Sequence, residues 1–345
     1  MARLAVVMGD PAGIGPEVLA RTLAEGLTQD VLLIGDADVW AQAQDVAGVR
    51  VGLIPADRPG SPAGGAVPFL HLPPEDRSWT RGAMSPAAGR AAAQWLVAAV
   101  RLALEGAADA VVFAPLNKQA IIRAGYRVRD EYELCAQLAG VEDHDEMNVI
   151  PHPAAPASGR LLWVARVTGH AAFAAVPAAL TRERILRTIR LAHRVASGTS
   201  PTAPAIGVAA LNPHAGEGGL LGDEEERLIG PAIADAAGEG INASGPVPAD
   251  HIFRQARAGR FDVVVAMYHD QAQIATKLLG FEMGVSVGVG YPFVMTTPSH
   301  GTAFDIVGRG VADARPMRQA LTIAARLAAQ AEEDRGHPDL RRRGP

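Results

Sequence analysis

The chain has 345 residues, 48% of them hydrophobic and 20% charged, a globular composition long enough for two domains of ordinary size or for one carrying a large insertion. A net charge of -5 offers no basic excess for a nucleic-acid backbone, and no apolar run approaches the roughly 20 residues that span a bilayer. The single cysteine, Cys135, excludes an intrachain disulfide and a thiolate metal cluster. Together with a first apolar run, residues 4–8, too short for a signal segment, this points to a cytoplasmic protein whose partners are small molecules.

Short apolar runs alternate with longer amphipathic stretches, the pattern of an α/β fold in which helices flank a parallel or mixed sheet. In chain order, strands are expected over residues 4–8, 31–34, 110–114, 161–165, 205–210 and 263–267. Helices are expected over 16–24, 86–104, 182–196, 224–236 and 316–332, with Pro16, Pro86 and Pro316 at first-turn positions that tolerate proline. The Pro- and Gly-rich stretches 55–74 and 151–159 read as surface loops or lobe connections. Residues from Asp334 on, with Arg341, Arg342 and Arg343, read as a charged tail that frays. There is no internal repeat.

Four segments carry chemistry. The first, Met8-Gly9-Asp10-Pro11-Ala12-Gly13-Ile14-Gly15-Pro16-Glu17, opens a helix directly after a strand, where glycines let backbone N–H groups approach a ligand. It is not a dinucleotide fingerprint, because the third glycine of that pattern is Val18, and it serves equally as a tight strand-to-helix turn. The second, Ala114-Pro115-Leu116-Asn117-Lys118, leaves the C-terminal end of a strand, the edge where open α/β sheets bind ligands; Lys118 read alone is an ordinary solvated charge. The third is a set of histidines, His170, His214 and His269, each a few residues beyond an expected strand, so that all three can project from one sheet edge into one cavity. Three imidazoles leave a divalent ion with open positions, as catalytic sites require, although their separations carry no local ligand spacing. The fourth runs from Pro298 through His300-Gly301-Thr302-Ala303-Phe304-Asp305-Ile306 to Asp313 and reads as a ligand loop ahead of the last helix, or as a plain connection.

In order and spacing these segments resemble the 4-hydroxythreonine-4-phosphate dehydrogenase family from Met8 to about Asp313, and the opening glycine motif and the late His-Gly-Thr-Ala motif resemble the wider isocitrate and isopropylmalate dehydrogenase superfamily. The resemblance implies a two-lobed fold of α/β/α layers with a cleft between lobes: a cofactor-side lobe of residues 1–118 with 285–332, a metal, substrate and dimerisation lobe of residues 119–284, and the tail 333–345. It implies a homodimer, with His170, His214 and His269 as ligands of a divalent metal drawn from both subunits: zinc first, then manganese, cobalt or nickel. It places Asp250 and Asp270 near the substrate hydroxyl and Lys277 on the substrate, with Asp250 the better base. Gly13, Gly15, Asn117, Lys118, His300, Gly301, Thr302, Asp305 and Ile306 fall on the cofactor, and a carboxylate at 305 beside the adenosine ribose implies NAD over NADP. The reaction implied is oxidation of a secondary alcohol beside a carboxylate, followed by decarboxylation.

The chain departs from this family at one substructure. Where the family carries Gly-His-Thr-Glu, this sequence reads Asp130-Glu131-Tyr132-Glu133, and a phosphate-contacting asparagine and arginine align with Ser286 and Met295. A thioether cannot replace a guanidinium fork, and Glu131 adds negative charge where a dianion sits. The expected substrate is therefore a hydroxy acid without phosphate, such as the dihydrodiol dicarboxylate of the terephthalate-degrading relatives that lack the same motif. The alternatives are the namesake reaction of vitamin B6 synthesis and a non-catalytic ligand-binding homologue.

Overall fold

The computed structural model describes residues 1–200 and 202–336. In chain order its elements begin β1 (Arg3–Val7), α1 (Gly15–Ala24), β2 (Asp30–Gly35), α2 (Ala37–Ala47), β3 (Gly52–Pro55), β4 (Ala66–His71), α3 (Pro86–Leu104), β5 (Ala110–Phe113), α4 (Lys118–Arg123) and α5 (Glu131–Ala139). They continue with β6 (Asp145–Pro151), β7 (Leu161–Arg166), α6 (Val176–Ala179), α7 (Arg182–Ser197), β8 (Ile206–Ala209), α8 (Gly230–Gly238), β9 (Ala243–Val247), α9 (Ala249–Arg257), β10 (Val263–Ala266), α10 (His269–Gly280), β11 (Val285–Val289), β12 (Val294–Pro298) and α11 (Arg315–Gly336). The fold is α/β, as expected. All six expected strands form within about a residue. The stretch 55–74 is not simply a loop, because β4 lies inside it and pairs in parallel with β2 and β3. The helix expected from Glu224 begins as a π-turn over Glu225–Ile229. Most of the expected tail, with its three arginines, lies outside the described residues; α11 runs on through its first residues to Gly336.

Two compact units divide the chain: Met1–Asp145 with the segment from Val285 on, and Glu146–Gly284. Residues 119–145, expected in the second lobe, group with the first unit. The reason is packing, since α4 and α5 both lie on α3.

In the first unit the strands run β3-β4-β2-β1-β5-β12-β11, parallel except for β11, which is antiparallel to β12. Leu4, Ala5, Val6 and Val7 of β1 are completely buried, as a parallel strand covered on both faces requires. Helices α3 and α11 each pack along β1 and β5 but gather different neighbours: α4 and α5 join α3, and α1 joins α11. In the second unit the order is β6-β7-β10-β8-β9, parallel except for β6 against β7. Its core of Leu162, Val164, Ala209, Ile252, Phe261 and Val264 lies between the sheet and α9 and α10. No helix among the described residues is long and apolar enough to cross a membrane.

The turn from β1 into α1 is closely packed. Gly9 has φ +78°, and a Cβ there would fall 2.6 Å from the Ala114 carbonyl oxygen, so glycine is required. Asp10 follows it, fully buried. Its Oδ1 accepts from the Ala12 N–H at 2.8 Å, whereas Oδ2 has no hydrogen-bond partner. Burial therefore pushes the carboxyl up from 3.8 to about 6. Because the folded chain holds this proton more tightly than the unfolded one, the stability linked to Asp10 is fully present below about pH 4 and is lost as pH rises to about 6. Asp10→Asn should remove that dependence. Urea unfolding of the two proteins should show the variant gaining up to about 3 kcal/mol relative to wild type between pH 4 and 6, and parallel profiles would count against a buried, uncompensated carboxyl.

Candidate active site

Strands β7, β10 and β8 are parallel neighbours, so their C-terminal ends share one edge, the usual ligand edge of such a sheet. Side chains lash those ends together. The Thr168 hydroxyl donates to the Met267 carbonyl at 2.8 Å, tying the end of β7 to that of β10. Gln271 accepts from the Met267 N–H at 2.7 Å and donates to the Ala210 carbonyl at 2.8 Å, tying β10 to β8. The consequence is visible just beyond: the rings of His170 and His269 lie 5.1 Å apart between centroids. His269 opens α10, and its Nδ1 sits 2.6 Å from Asp270 Oδ1. Asp270 is thus placed as the partner that orients His269.

His214 comes off β8 differently. The segment after Pro213 turns left-handed, with positive φ at His214, Ala215, Gly216, Glu217 and Gly218. For a residue with a Cβ this conformation costs about 1 kcal/mol, so three of them together mark a turn enforced from outside. His214 Nδ1 lies 2.7 Å from Glu217 Oε2. A cavity of about 610 Å³ is lined by His214, Asn212, Asp250, Tyr268, Gln271 and Phe173 among others. Asp250, in the first turn of α9, is well exposed, with His251 Nε2 at 3.5 Å. The structure thus puts His214 and Asp250 on one cavity and His170 beside His269. It does not gather the three histidines in one place: among the described residues no group of three metal-ligating side chains forms.

The donor chemistry nonetheless fits a borderline divalent ion. Two of the imidazoles have Nδ1 held by a carboxylate, which fixes the tautomer and leaves Nε2 as the coordinating nitrogen, the arrangement common to metal-binding histidines. Lys277, on the exposed side of α10, has no ion-pair partner among the described residues.

In the first unit Asn117 takes a structural role, its Oδ1 accepting from the Ala120 N–H at 2.9 Å as the N-cap of α4. Lys118 Nζ approaches Glu131 Oε1 to 3.9 Å, and Glu131 is nearly buried. The four departures from the family motif fall into well-packed surroundings. Tyr132 packs edge-on against Phe113, and its carbonyl accepts from the Tyr291 hydroxyl at 2.9 Å. Met295, fully buried, fills the space over Gly288 next to Tyr291. Ser286 faces Ser299, with their hydroxyls 3.3 Å apart.

The remaining expected cofactor residues gather around the turn after β12. A Cβ on Gly13 would fall 2.9 Å from the Thr302 Cβ, and one on Gly15 2.7 Å from the Met8 carbonyl, so these glycines serve internal packing in the first instance. Ile14 N–H donates to the Thr302 carbonyl at 3.0 Å. Buried Glu17 accepts from Arg81 at 2.9 Å and from the Gly308 N–H at 2.6 Å, and the Arg21 guanidinium donates to the carbonyls of Gly310 and Ala312. Helix α1 thereby fixes the segment 308–312. Gly301, Asp305 and Ile306 lie at its accessible side, and the Asp305 carboxylate has no hydrogen bond among the described residues. His300 points Nδ1 at the Gly301 carbonyl, 3.1 Å away, while Nε2 is buried without a partner. Burial holds its pKa below the ordinary imidazole value, so the ring is neutral at pH 7.

Thr168, Gln271, Glu17, Arg81 and Tyr291 are site-building residues that sequence reasoning did not single out. Glu17 stood within a quoted motif, and a carboxylate on an otherwise apolar helix face was a usable signal. Thr168 and Gln271 flank His170 and His269, while Arg81 and Tyr291 act through partners distant in sequence and left no signal.

The family model described as "Pyridoxal phosphate biosynthetic protein PdxA" matches residues 27–324. A 4-hydroxythreonine-4-phosphate dehydrogenase of Geobacter metallireducens is 42% identical over 332 residues, covering 94% of this chain and 95% of that protein. The solved 4-hydroxythreonine-4-phosphate dehydrogenase of Klebsiella pneumoniae superposes with a TM-score of 0.81 at 37% identity, covering 95% of this chain and 98% of that one. A terephthalate 1,2-cis-dihydrodiol dehydrogenase of Burkholderia xenovorans superposes at 0.63 with 28% identity, covering 94% and 98%. With the motifs in register and the family model spanning most of its length, the chain belongs to the PdxA family.

Proposed function

We propose that this protein is a metal-dependent, NAD-linked dehydrogenase that oxidises a secondary alcohol of a hydroxy acid lacking a phosphate, with decarboxylation to follow, and that it works as a cytoplasmic homodimer. That it is an oxidoreductase acting on a CH–OH group accords with the dehydrogenase names of its relatives. The observation that carries the finer reading is the state of the positions at which the family resemblance puts the phosphate. Tyr132 and Met295 are locked into an aromatic and thioether cluster with Phe113 and Tyr291. Glu131 and Lys118 partly neutralise each other. A dianion brought here meets a carboxylate instead of a guanidinium fork.

His170, His214 and His269 are the residues that would hold the metal, completed by the second subunit. This is supported by the carboxylate-oriented rings of His214 and His269 and by α10, whose Ile274 and Leu278 are 62% and 83% exposed on the helix that His269 opens. A divalent ion there supplies acidity to the substrate hydroxyl, and the nicotinamide of NAD accepts the hydride. The chain's own part is positional. Asp250 shares the cavity of His214 and, as an exposed carboxylate, takes the hydroxyl proton directly or through water. Asp270 orients His269, and Lys277 binds the acid end of the substrate. Neutral His300 offers Nε2 to a donor on the cofactor, and Asp305 offers a carboxylate to the ribose hydroxyls.

A second reading, oxidation of 4-phosphohydroxythreonine itself, is favoured by the name and identity of the Geobacter relative. A screen of NADH formation over hydroxy acids with and without phosphate separates the two. Turnover is expected with a dihydrodiol or hydroxy carboxylate, and efficient turnover of the phosphorylated substrate at micromolar concentration would establish the second reading instead. His269→Ala should lose bound metal and activity while keeping its far-ultraviolet circular dichroism; a metal-stripped variant with full activity would refute the metal site. For the cofactor, wild type should prefer NAD by about tenfold to a hundredfold in kcat/KM, the worth of one repelled contact of about 1–3 kcal/mol. Asp305→Lys should narrow that ratio; an unchanged ratio would show that Asp305 does not read the ribose.

A further inference from the structure

The left-handed turn that presents His214 is held by a buried carboxylate outside the ligand set. Glu225, 4% exposed, lies at the start of the π-turn that leads into α8. Its Oε1 accepts from the N–H groups of both Leu211 and Asn212 at 2.8 Å, and its Oε2 accepts from Asn212 Nδ2 at 3.0 Å. Asn212 Nδ2 donates also to Glu224 Oε2 at 2.7 Å. Glu225 Oε2 and the Gly222 carbonyl together bound the turn from below, since a Cβ on Gly216, at φ +82°, would sit 2.9 Å from the one and 2.8 Å from the other. Glu225 thus grips the backbone two residues before His214 and limits the turn two residues after it. No arginine or lysine pairs with this carboxylate among the described residues; neutral N–H donors hold it, and a buried charge held in this way is retained only where those donors stay in place.

We infer that Glu225 is the positioning residue of the His214 turn, setting the direction of that imidazole through the backbone of residues 211–216 without touching metal or substrate. The inference rests on the metal reading given above. The π-turn fits it: widening the first turn of the helix is what aims a carboxylate at two consecutive backbone amides, and single π-turns recur where a side chain has to be aimed.

The test is a titration of the metal-stripped, full-length protein with cobalt(II), following the visible absorption of the bound ion, together with the thermal midpoint of the metal-free protein. Wild type should bind cobalt. Glu225→Ala should weaken that binding about tenfold to a hundredfold, the usual cost of losing a partner that orients a metal ligand, and should alter the shape of the absorption band. Glu225→Gln, which keeps an acceptor for the two amides, should recover a large part of the affinity. Glu225→Asp keeps the carboxylate but draws it back by one methylene from the two amides and should weaken cobalt binding in the same direction, so the inference stands testable even where Glu225→Ala does not fold. A lowered midpoint with cobalt affinity within twofold of wild type in Glu225→Ala and Glu225→Asp would reduce Glu225 to a local structural support and overturn the inference alone. Wild type that takes up no cobalt would overturn the metal reading and this inference with it.

Discussion

The site depends on how three strand ends are held level. β7, β10 and β8 finish at the same edge, where the Val167 and Thr168 N–H groups still donate to the Ala266 and Met267 carbonyls and carry the β7–β10 pairing one step beyond the strands. Thr168 and Gln271 reinforce these exits with side-chain bonds to the Met267 and Ala210 backbone, and between β10 and β8 the Gln271 side chain bridges both. Each such bond contributes only about 1 kcal/mol net, but their geometric effect is larger. They convert three independent exits into one frame on which His170, the His214 turn and His269 are all mounted. A relative slip of the exits would change where the imidazoles are presented, so their placement is set by hydrogen bonds in which they take no part.

The sequence was most legible where burial was complete. The four residues of β10, all valine or alanine and fully buried, and the uninterrupted apolar face of α3 leave no competing interpretation. It was least legible at half-covered elements. β9 reads Ala-Ser-Gly-Pro-Val and pairs only with β8, so it has neither the alternation nor the apolar run of an inner strand. β4 carries Pro68 in its middle. Helix α10 mixes polar residues with Ile274 and Leu278 on its exposed side, which blurs the helical period that a helix facing one core displays.

A similar division holds for the site. The histidines stood out because their residue type and strand-end placement are local properties. The way His214 is presented did not, because it depends on a left-handed turn that no propensity favours at His214, Ala215 and Glu217. Asp223-Glu224-Glu225-Glu226 reads in sequence as a solvated acidic run, and only the fold shows that Glu225 turns inward onto Leu211 and Asn212 while Glu226 stays out. Asn117 shows a second role the sequence did not display: its place after a strand suggested a ligand contact, and its Oδ1 also caps α4.

The close approach of Lys118 and Glu131 has a consequence for how such a pocket changes over evolutionary time. An anion brought beside Lys118 competes with Glu131, a counter-charge already built into the chain. With it in place, reshaping the pocket is uphill one step at a time. Replacing Glu131 by histidine removes the matching charge before any new ligand has been gained, and importing an arginine in place of Met295 buries a guanidinium while Tyr132 still occupies the neighbouring space. Single exchanges at these positions are therefore coupled: each alone leaves a charge without its partner or a guanidinium without room.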